Sequence, residues 1–231
     1  MSKTISYFQL PPETDRYAFW DDWAGSFALT HLDWPGIKKY EISQLLNTVR
    51  GNPVKSIHGM AEFYWESKEA QERDAIEHAQ SPERQRRTEE FERKTAWMVL
   101  AEYEEKIIID TDLDDSKMVK RVAFFQIKKD VDREAFYKMW FDEFAPTHHT
   151  WPGLKKYTIN RLINVRYGDP AHVLDGIAEL WFENEAAYDA DLVRHERETA
   201  RAQRTYDYEN NWLIWMNGIK MEQKVIIDKT R

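Results

Sequence analysis

A chain of 231 residues is long enough for one large domain or for two of about 110 to 120, the usual size for an independent hydrophobic core. With 42% hydrophobic and 32% charged residues, and no apolar run near the ~20 residues that span a bilayer, a globular protein off the membrane is expected. The absence of Cys removes disulfides, thiolate nucleophiles and sulfur-held metal sites, and the formal charge of −8 opposes nucleic-acid binding.

The N-terminal stretch has no basic start, apolar core and small-residue cleavage site, so a cytoplasmic location is expected. Aromatic residues reach 14%, with ten Trp, which points either to aromatic cores or to a pocket lined with rings.

In chain order, "ISYFQL" (5–10) is a short aromatic and β-branched run, a predicted strand. Next, 14–31 carries Phe19, Trp20, Trp23 and Phe27 at three-and-four spacing, an amphipathic helix with Asp15 near its start, stopped by Trp34-Pro35-Gly36. Alternation predicts a strand over 36–46 and another over 59–66, joined by the Gly- and Pro-containing loop 50–59. A charged helix (68–80) and a final strand ending in "KIIID" (106–110) complete the series.

The series then begins again. "VAFFQI" (122–127) is a strand, 132–149 a helix with Phe136, Tyr137, Trp140 and Phe144 inward, 153–163 and 176–183 strands, 185–205 charged helix, and "KVIID" (224–228) the end. An offset of 117 residues aligns everything from Ser2/Val119 to Glu66/Glu183 without a gap, and 19 of the 40 pairs from Phe27/Phe144 to Glu66/Glu183 are identical. The reading is one domain written twice, residues 1–112 and 118–231, each βαββαβ and ferredoxin-like. Each sheet has one bare face. Two copies cover each other sheet against sheet and close a pseudo-dimeric α+β barrel with helices outside, so either a monomer with this internal pseudo-dimer or a homodimer of it is expected.

Residues at equivalent places are the candidates for chemistry. His31 and His148 end the first helix of each unit, either as caps favoured by the helix dipole or as proton carriers in a pocket. Tyr40 and Tyr157 are either buried rings or donors to a substrate oxygen. Glu62 and Glu179 interrupt an apolar strand. They are either salt-bridged to Lys38, Lys39, Lys155 or Lys156, or raised in pKa for acid or base work. Asn47 and Asn164 are at a strand end where Asn forms turns, with substrate contact the alternative at Asn164. Trp151, Trp181 and Trp215 are expected among the rings that exclude water from a pocket. His78 and His195 are read as solvated, and His58 and His172 as loop residues. No nucleotide-binding, zinc-protease or hydrolase motif occurs, and no metal spacing stands out.

The stretches "FALTHLDWPGIKKY" with "HGMAEFYWES", and "FAPTHHTWPGLKKYTINRLI" with "DGIAELWFEN", resemble the EthD family. Its members share a His shortly before Pro-Gly-Leu-x-x-Tyr, then a strand Asp-Gly-Ile-Ala-Glu-x-Trp-Phe. The resemblance covers both repeats and is nearly complete in the second. The first departs from it at His58, where the family has Asp, and at Tyr64-Trp65. It implies the dimeric α+β barrel fold, whose members include cofactor-free monooxygenases, cyclases, decarboxylases and some haem enzymes. The haem signature Gly-x-x-Asp-Gly is not matched, because His172 precedes Asp175 by three, so haem is the minor option and no cofactor or metal is expected.

The function expected first is an enzyme acting on a small aromatic or apolar oxygenated metabolite by proton transfer of the decarboxylase, dehydratase or cyclase type. His148, His31, Glu179 and Tyr157 would be the catalytic groups, with Tyr40, Asn164, Glu62, Trp181, Trp151, Trp215 and Asp175 around the substrate. An EthD-type oxidoreductase or monooxygenase component is the alternative, and a non-catalytic binding protein the second. The second repeat is expected to be the more active, with the Asp175 turn charging or orienting His148.

Overall fold

The computed structural model describes residues 2–111, 113–114 and 117–230, with Glu196 described by its backbone only. The segment between the two units and the outer ends of both unit ranges fall partly outside the described residues. The order is β1 (Ser2–Gln9), α1 (Arg16–Asp22), β2 (Ile37–Arg50), β3 (Gly59–Trp65), α2 (Lys68–Gln80), α3 (Pro82–Glu92), β4 (Trp97–Ile109), β5 (Val119–Ile127), α4 (Arg133–Met139), β6 (Leu154–Tyr167), β7 (Gly176–Phe182), α5 (Glu185–Arg197), α6 (Thr199–Trp212) and β8 (Leu213–Asp228). No helix among the described residues is long and apolar enough to cross a membrane.

The expected barrel is present. Its strands close in the order β1-β3-β2-β8-β5-β7-β6-β4, every pair antiparallel. Closure depends on β4 and β8, each of which pairs with a strand of both halves. β4 pairs with β1 from Trp97 to Tyr103 and with β6 from Leu100 to Ile109, and β8 bridges β5 and β2 in the same way. A closed sheet leaves no unpaired edge. The register of β1 on β3, from Ser2 opposite Trp65 to Phe8 opposite Gly59, recurs 117 residues later for β5 on β7, from Val119 opposite Phe182 to Phe125 opposite Gly176.

Strand alternation sends successive side chains to opposite faces. In β3, Met60 and Glu62 face the barrel interior, while Ala61, Phe63 and Trp65 face the helices outside. The interior is packed with Ile5, Tyr7, Val99, Val122, Phe124, Ile177 and Ile219. Two further cores lie between the barrel wall and its helices, one per half. Both faces of the sheet are therefore buried, which explains strands rich in rings and β-branched residues on each side.

Side-chain caps start the helices as the sequence suggests. Asp15 accepts from the amides of Tyr17 and Ala18 at 3.0 and 3.1 Å, and Asp132 from those of Glu134 and Ala135 at 2.9 and 3.2 Å. The single first helix expected in each unit is divided. α1 passes into a π-helical turn, Trp23–Phe27, and a 3-10 turn, Ala28–His31; α4 does the same through Trp140–Phe144 and Ala145–Thr150. Trp23, Phe27 and His31 recur every fourth residue, which drifts by about 40° per step on a regular helix. A wider turn absorbs the drift and keeps all three on the sheet side. The charged helix of each unit is also two: Pro82 starts α3 at a position where its missing amide costs nothing, and the chain turns at Glu198 before α6.

The Trp-Pro-Gly stop has a steric reason. Gly36 has φ +80° and Gly153 φ +78°, and a Cβ on either would lie 2.7 or 2.6 Å from the Cβ of Ala70 or Ala187. That close approach brings α2 and α5 down onto the helix-to-strand turn.

Candidate functional site

Each half encloses a cavity between the barrel wall and its helices, and the two differ in size. The first, about 450 Å³, is bounded by Thr4, Ser6 and Phe8 of β1, Ala61, Phe63 and Trp65 of β3, and Tyr40 of β2. From above, Trp23, Phe27, His31 and Trp34 cover it, with Gln71, Ala75 and His78 of α2 and Phe91 of α3. The walls are mostly ring faces: Tyr40 stacks on Phe63 at 4.5 Å between centroids, and Phe27 on Phe91 at 4.3 Å.

His31 is buried among these rings, 4.1 Å from Trp34 and 4.9 Å from Tyr40 between centroids. Its Nδ1 lies 3.2 Å from the Ala28 carbonyl. A carbonyl only accepts, so Nδ1 carries the proton and Nε2 holds the lone pair. No described residue bonds Nε2. Burial, reinforced by the nearby Arg84 and His78 charges, pushes the imidazole pKa down to about 4 against the pull of the Ala28 and Phe27 carbonyls. At neutral pH His31 is thus a neutral base in an aromatic chamber. The Thr4 hydroxyl accepts from the Trp65 indole at 2.9 Å and keeps its own proton to donate.

The rim is polar and balanced. Arg84 lies over Trp34 at 3.9 Å and pairs with Asp74 at 2.6 Å. Arg166 bonds Glu102 with Nε at 2.5 Å, and Gln71 donates to the same carboxylate at 3.0 Å. Arg166 and Tyr167 come from β6, so the second half of the chain completes the first cavity. In return Arg50 of β2 completes the second.

That second cavity is about 50 Å³. His148, Tyr157 and Trp151 repeat the first arrangement, with His148 centroids 4.0 Å from Trp151 and 4.6 Å from Tyr157, and Nδ1 3.0 Å from the Ala145 carbonyl. Burial outweighs that carbonyl and takes the His148 pKa down to about 3. Three replacements put larger side chains there: Arg121 stands where the first half has Thr4, Tyr188 replaces Gln71, and Leu192 replaces Ala75. The sequence reading favoured the second half; the cavity volumes favour the first.

Several residues expected together are apart. Glu62 and Glu179 face the barrel interior, away from either His, while Lys38, Lys39 and Lys155 pair with Glu66, Glu41 and Glu183. Lys120 Nζ lies 2.5 Å from Glu62 and 2.7 Å from Glu179, and Lys3 Nζ lies 3.0 and 2.9 Å from the same pair. Burial alone would raise the Glu179 carboxyl, but Lys120 and Lys3 outweigh it and hold it well below the usual range. Glu179 is a fixed anion and not a proton carrier near neutral pH.

Trp181 also points inward, under Lys120 and Lys156. Trp215 packs edge-on to Phe124 and donates to Gln126 at 2.7 Å. Asp175 does not charge His148; it accepts from the Ile127 amide at 2.7 Å and pairs with Arg133. Asn164 is exposed on β6. Tyr40 and Tyr157 are buried rings lining the first and second cavities, their hydroxyls beside the Trp23 and Trp140 indoles and that of Tyr40 without a hydrogen bond. His78 and His195, read as solvated, are half-buried and line the two cavities, His78 bonding Thr88 at 2.9 Å.

Sequence reasoning missed Thr4, Gln71 and the Lys3/Lys120 pair. The last was readable: a Lys at the same place in two apolar strands, 117 residues apart, needs a buried carboxylate.

No cluster of three or more His, Asp or Glu able to hold a metal ion occurs among the described residues. For haem, His31 Nε2 has the chemistry of an axial ligand, its other nitrogen being held by a carbonyl. The guanidinium groups at the rim, Arg84 and Arg166, are engaged by Asp74 and Glu102, so propionates would have to displace carboxylates. The residues present do not fit haem.

No family model matches the chain, and no curated protein matches it. Solved structures do share the fold. An anthrone oxidase-like protein superposes with a TM-score of 0.68 at 11% identity, covering 99% of this chain and 94% of that one. A proposed monooxygenase from Fusobacterium nucleatum subsp. nucleatum gives 0.58 at 8% identity, over 97% and 93%. Another, from Lactobacillus acidophilus NCFM, gives 0.54 at 11%, over 99% and 96%. This set corrects one expectation. A monooxygenase puts one oxygen atom into its substrate and reduces the other, with electrons from a cofactor or the substrate, so the expected absence of a cofactor is withdrawn. The chain is similar in fold to α+β barrels that bear oxidase and monooxygenase names.

Proposed function

We propose that the protein is an oxidoreductase that takes a small aromatic or apolar oxygenated molecule into the first cavity, with His31 as the base. The observation that carries this is a neutral imidazole with a free lone pair inside a ring-walled chamber of about 450 Å³. Nε2 takes a proton from a substrate hydroxyl or activated C–H, and the Thr4 hydroxyl donates to the oxygen where charge gathers. The stacked rings orient a planar substrate and exclude water, which strengthens both interactions. Loss of the proton makes the substrate a better electron donor. The oxidase and monooxygenase names of the structural neighbours support oxidation over the decarboxylase, dehydratase or cyclase chemistry that the same base could serve.

The test is oxygen uptake with hydroxylated two- and three-ring aromatics, measured with and without added flavin, reduced nicotinamide or haemin. Uptake by the wild type that collapses in His31→Ala is expected. Equal uptake by the variant would remove His31 from the reaction, and ligand binding without any turnover would make the protein a binding module.

We also propose that residues 1–112 and 118–231 are two EthD-like ferredoxin units forming a pseudo-dimer, supported by the recurring β1/β3 and β5/β7 registers. Expressed as two separate chains, the halves should assemble one to one.

A further inference from the structure

We propose that the second half holds a buried binding site for one small monoanion, a planar carboxylate or oxyanion of three or four heavy atoms, with the Arg121 guanidinium as its counter-charge. Arg121 projects from β5 into the cavity of about 50 Å³ and is only 8% exposed. It makes no ion pair or hydrogen bond with any described residue, and its Nε is buried without a partner. A guanidinium stays charged in a protein, and an unpaired buried charge is strongly destabilising.

Of the neighbouring charges, Asp191 favours the charged guanidinium, while Arg201 and Arg50 oppose it. Arg201 grips Asp191 with both terminal nitrogens at 2.8 Å, and Arg50 pairs with Glu209 at 2.8 Å while touching His195 at 3.1 Å. Two carboxylates thus answer two of three arginines. His148 and His195 are both neutral, since burial takes their pKa values to about 3 and about 4. The Tyr188 hydroxyl, close enough to act on Arg121, is a second buried group without a hydrogen bond. In the first half the equivalent place is Thr4, and Arg84 and Arg166 each have a carboxylate.

Size and shape narrow the occupant. The cavity is about 50 Å³ against about 450 Å³ in the first half, which favours a small ion such as formate, nitrate or bicarbonate. The planar fork of Arg matches two oxygens of such an ion.

Calorimetric titration and thermal unfolding of the full chain test this, in a bulky sulfonate buffer at constant ionic strength, with sodium formate, nitrate, bicarbonate and, as a size control, benzoate. Saturable one-to-one binding of at least one small anion, with a melting temperature that rises with its logarithm, is expected; benzoate should not bind this way. Arg121→Met should abolish the response and be at least as stable as wild type without anion. Arg121→Lys, which keeps the charge and loses the fork, should bind at least ten-fold more weakly. No saturable response in the wild type, an unchanged response in Arg121→Met, or unchanged affinity in Arg121→Lys would each overturn the proposal.

Discussion

Lys3 Nζ lies 2.9 Å from Glu179 Oε1, an ion pair between residues 176 positions apart on opposite sides of the barrel interior. Lys120 mirrors it on Glu62 at 2.5 Å. Removing one member of such a buried group leaves a carboxylate without its counter-charge, which costs about 3 to 5 kcal/mol. Lys120→Met should therefore lower unfolding stability by that amount in urea titration. Glu179→Gln added to the same chain should recover part of it. A single variant as stable as wild type would show that the network contributes nothing to the fold.

The two histidines should separate in activity. His31 faces the larger chamber and His148 the smaller. His31→Ala is expected to reduce turnover by about 10²- to 10⁴-fold, the usual loss for a general base, while His148→Ala leaves it within about three-fold. The opposite ranking in steady-state assays would place the reaction in the second half.

Acid should unfold the protein through the same two rings. Each has a folded pKa below the unfolded value near 6.5, about 4 for His31 and about 3 for His148. Above pH 6.5 both states are neutral and nothing is lost. As pH falls, the unfolded chain binds protons that the folded chain refuses, so stability declines from pH 6.5 down to the folded values, by on the order of 3 to 5 kcal/mol per ring. Urea midpoints between pH 7 and 4.5 measure this, and His148→Gln should flatten the slope.

Filling the first cavity with the residues of the second should close it. Gln71→Tyr with Ala75→Leu copies Tyr188 and Leu192 into α2. Binding of an aromatic ligand should weaken at least ten-fold, read by Trp fluorescence, with a melting temperature equal to or above wild type because a void is filled. Unaltered binding would place the ligand elsewhere.

Much of this architecture is local and was legible in the sequence. Period-two runs such as 59–66, the Asp15 and Asp132 caps and the 117-residue offset are properties of neighbouring residues, and they sufficed for the strands, the helix starts and the closed barrel. The pairing of His31 with a ring cluster was legible for the same reason, since Phe27, His31 and Trp34 are near one another in the chain.

What only the tertiary structure decided is where each alternating side chain ends up and what it meets there. Glu179 and Leu180 are adjacent in sequence, yet one enters an ion network inside the barrel and the other walls a cavity outside it. Which face is which depends on closure by β4 and β8, a pairing between distant segments. The unequal cavities depend on it too: Thr4 or Arg121 is one residue on a strand, and its effect on volume exists only once α2 or α5 is packed above it.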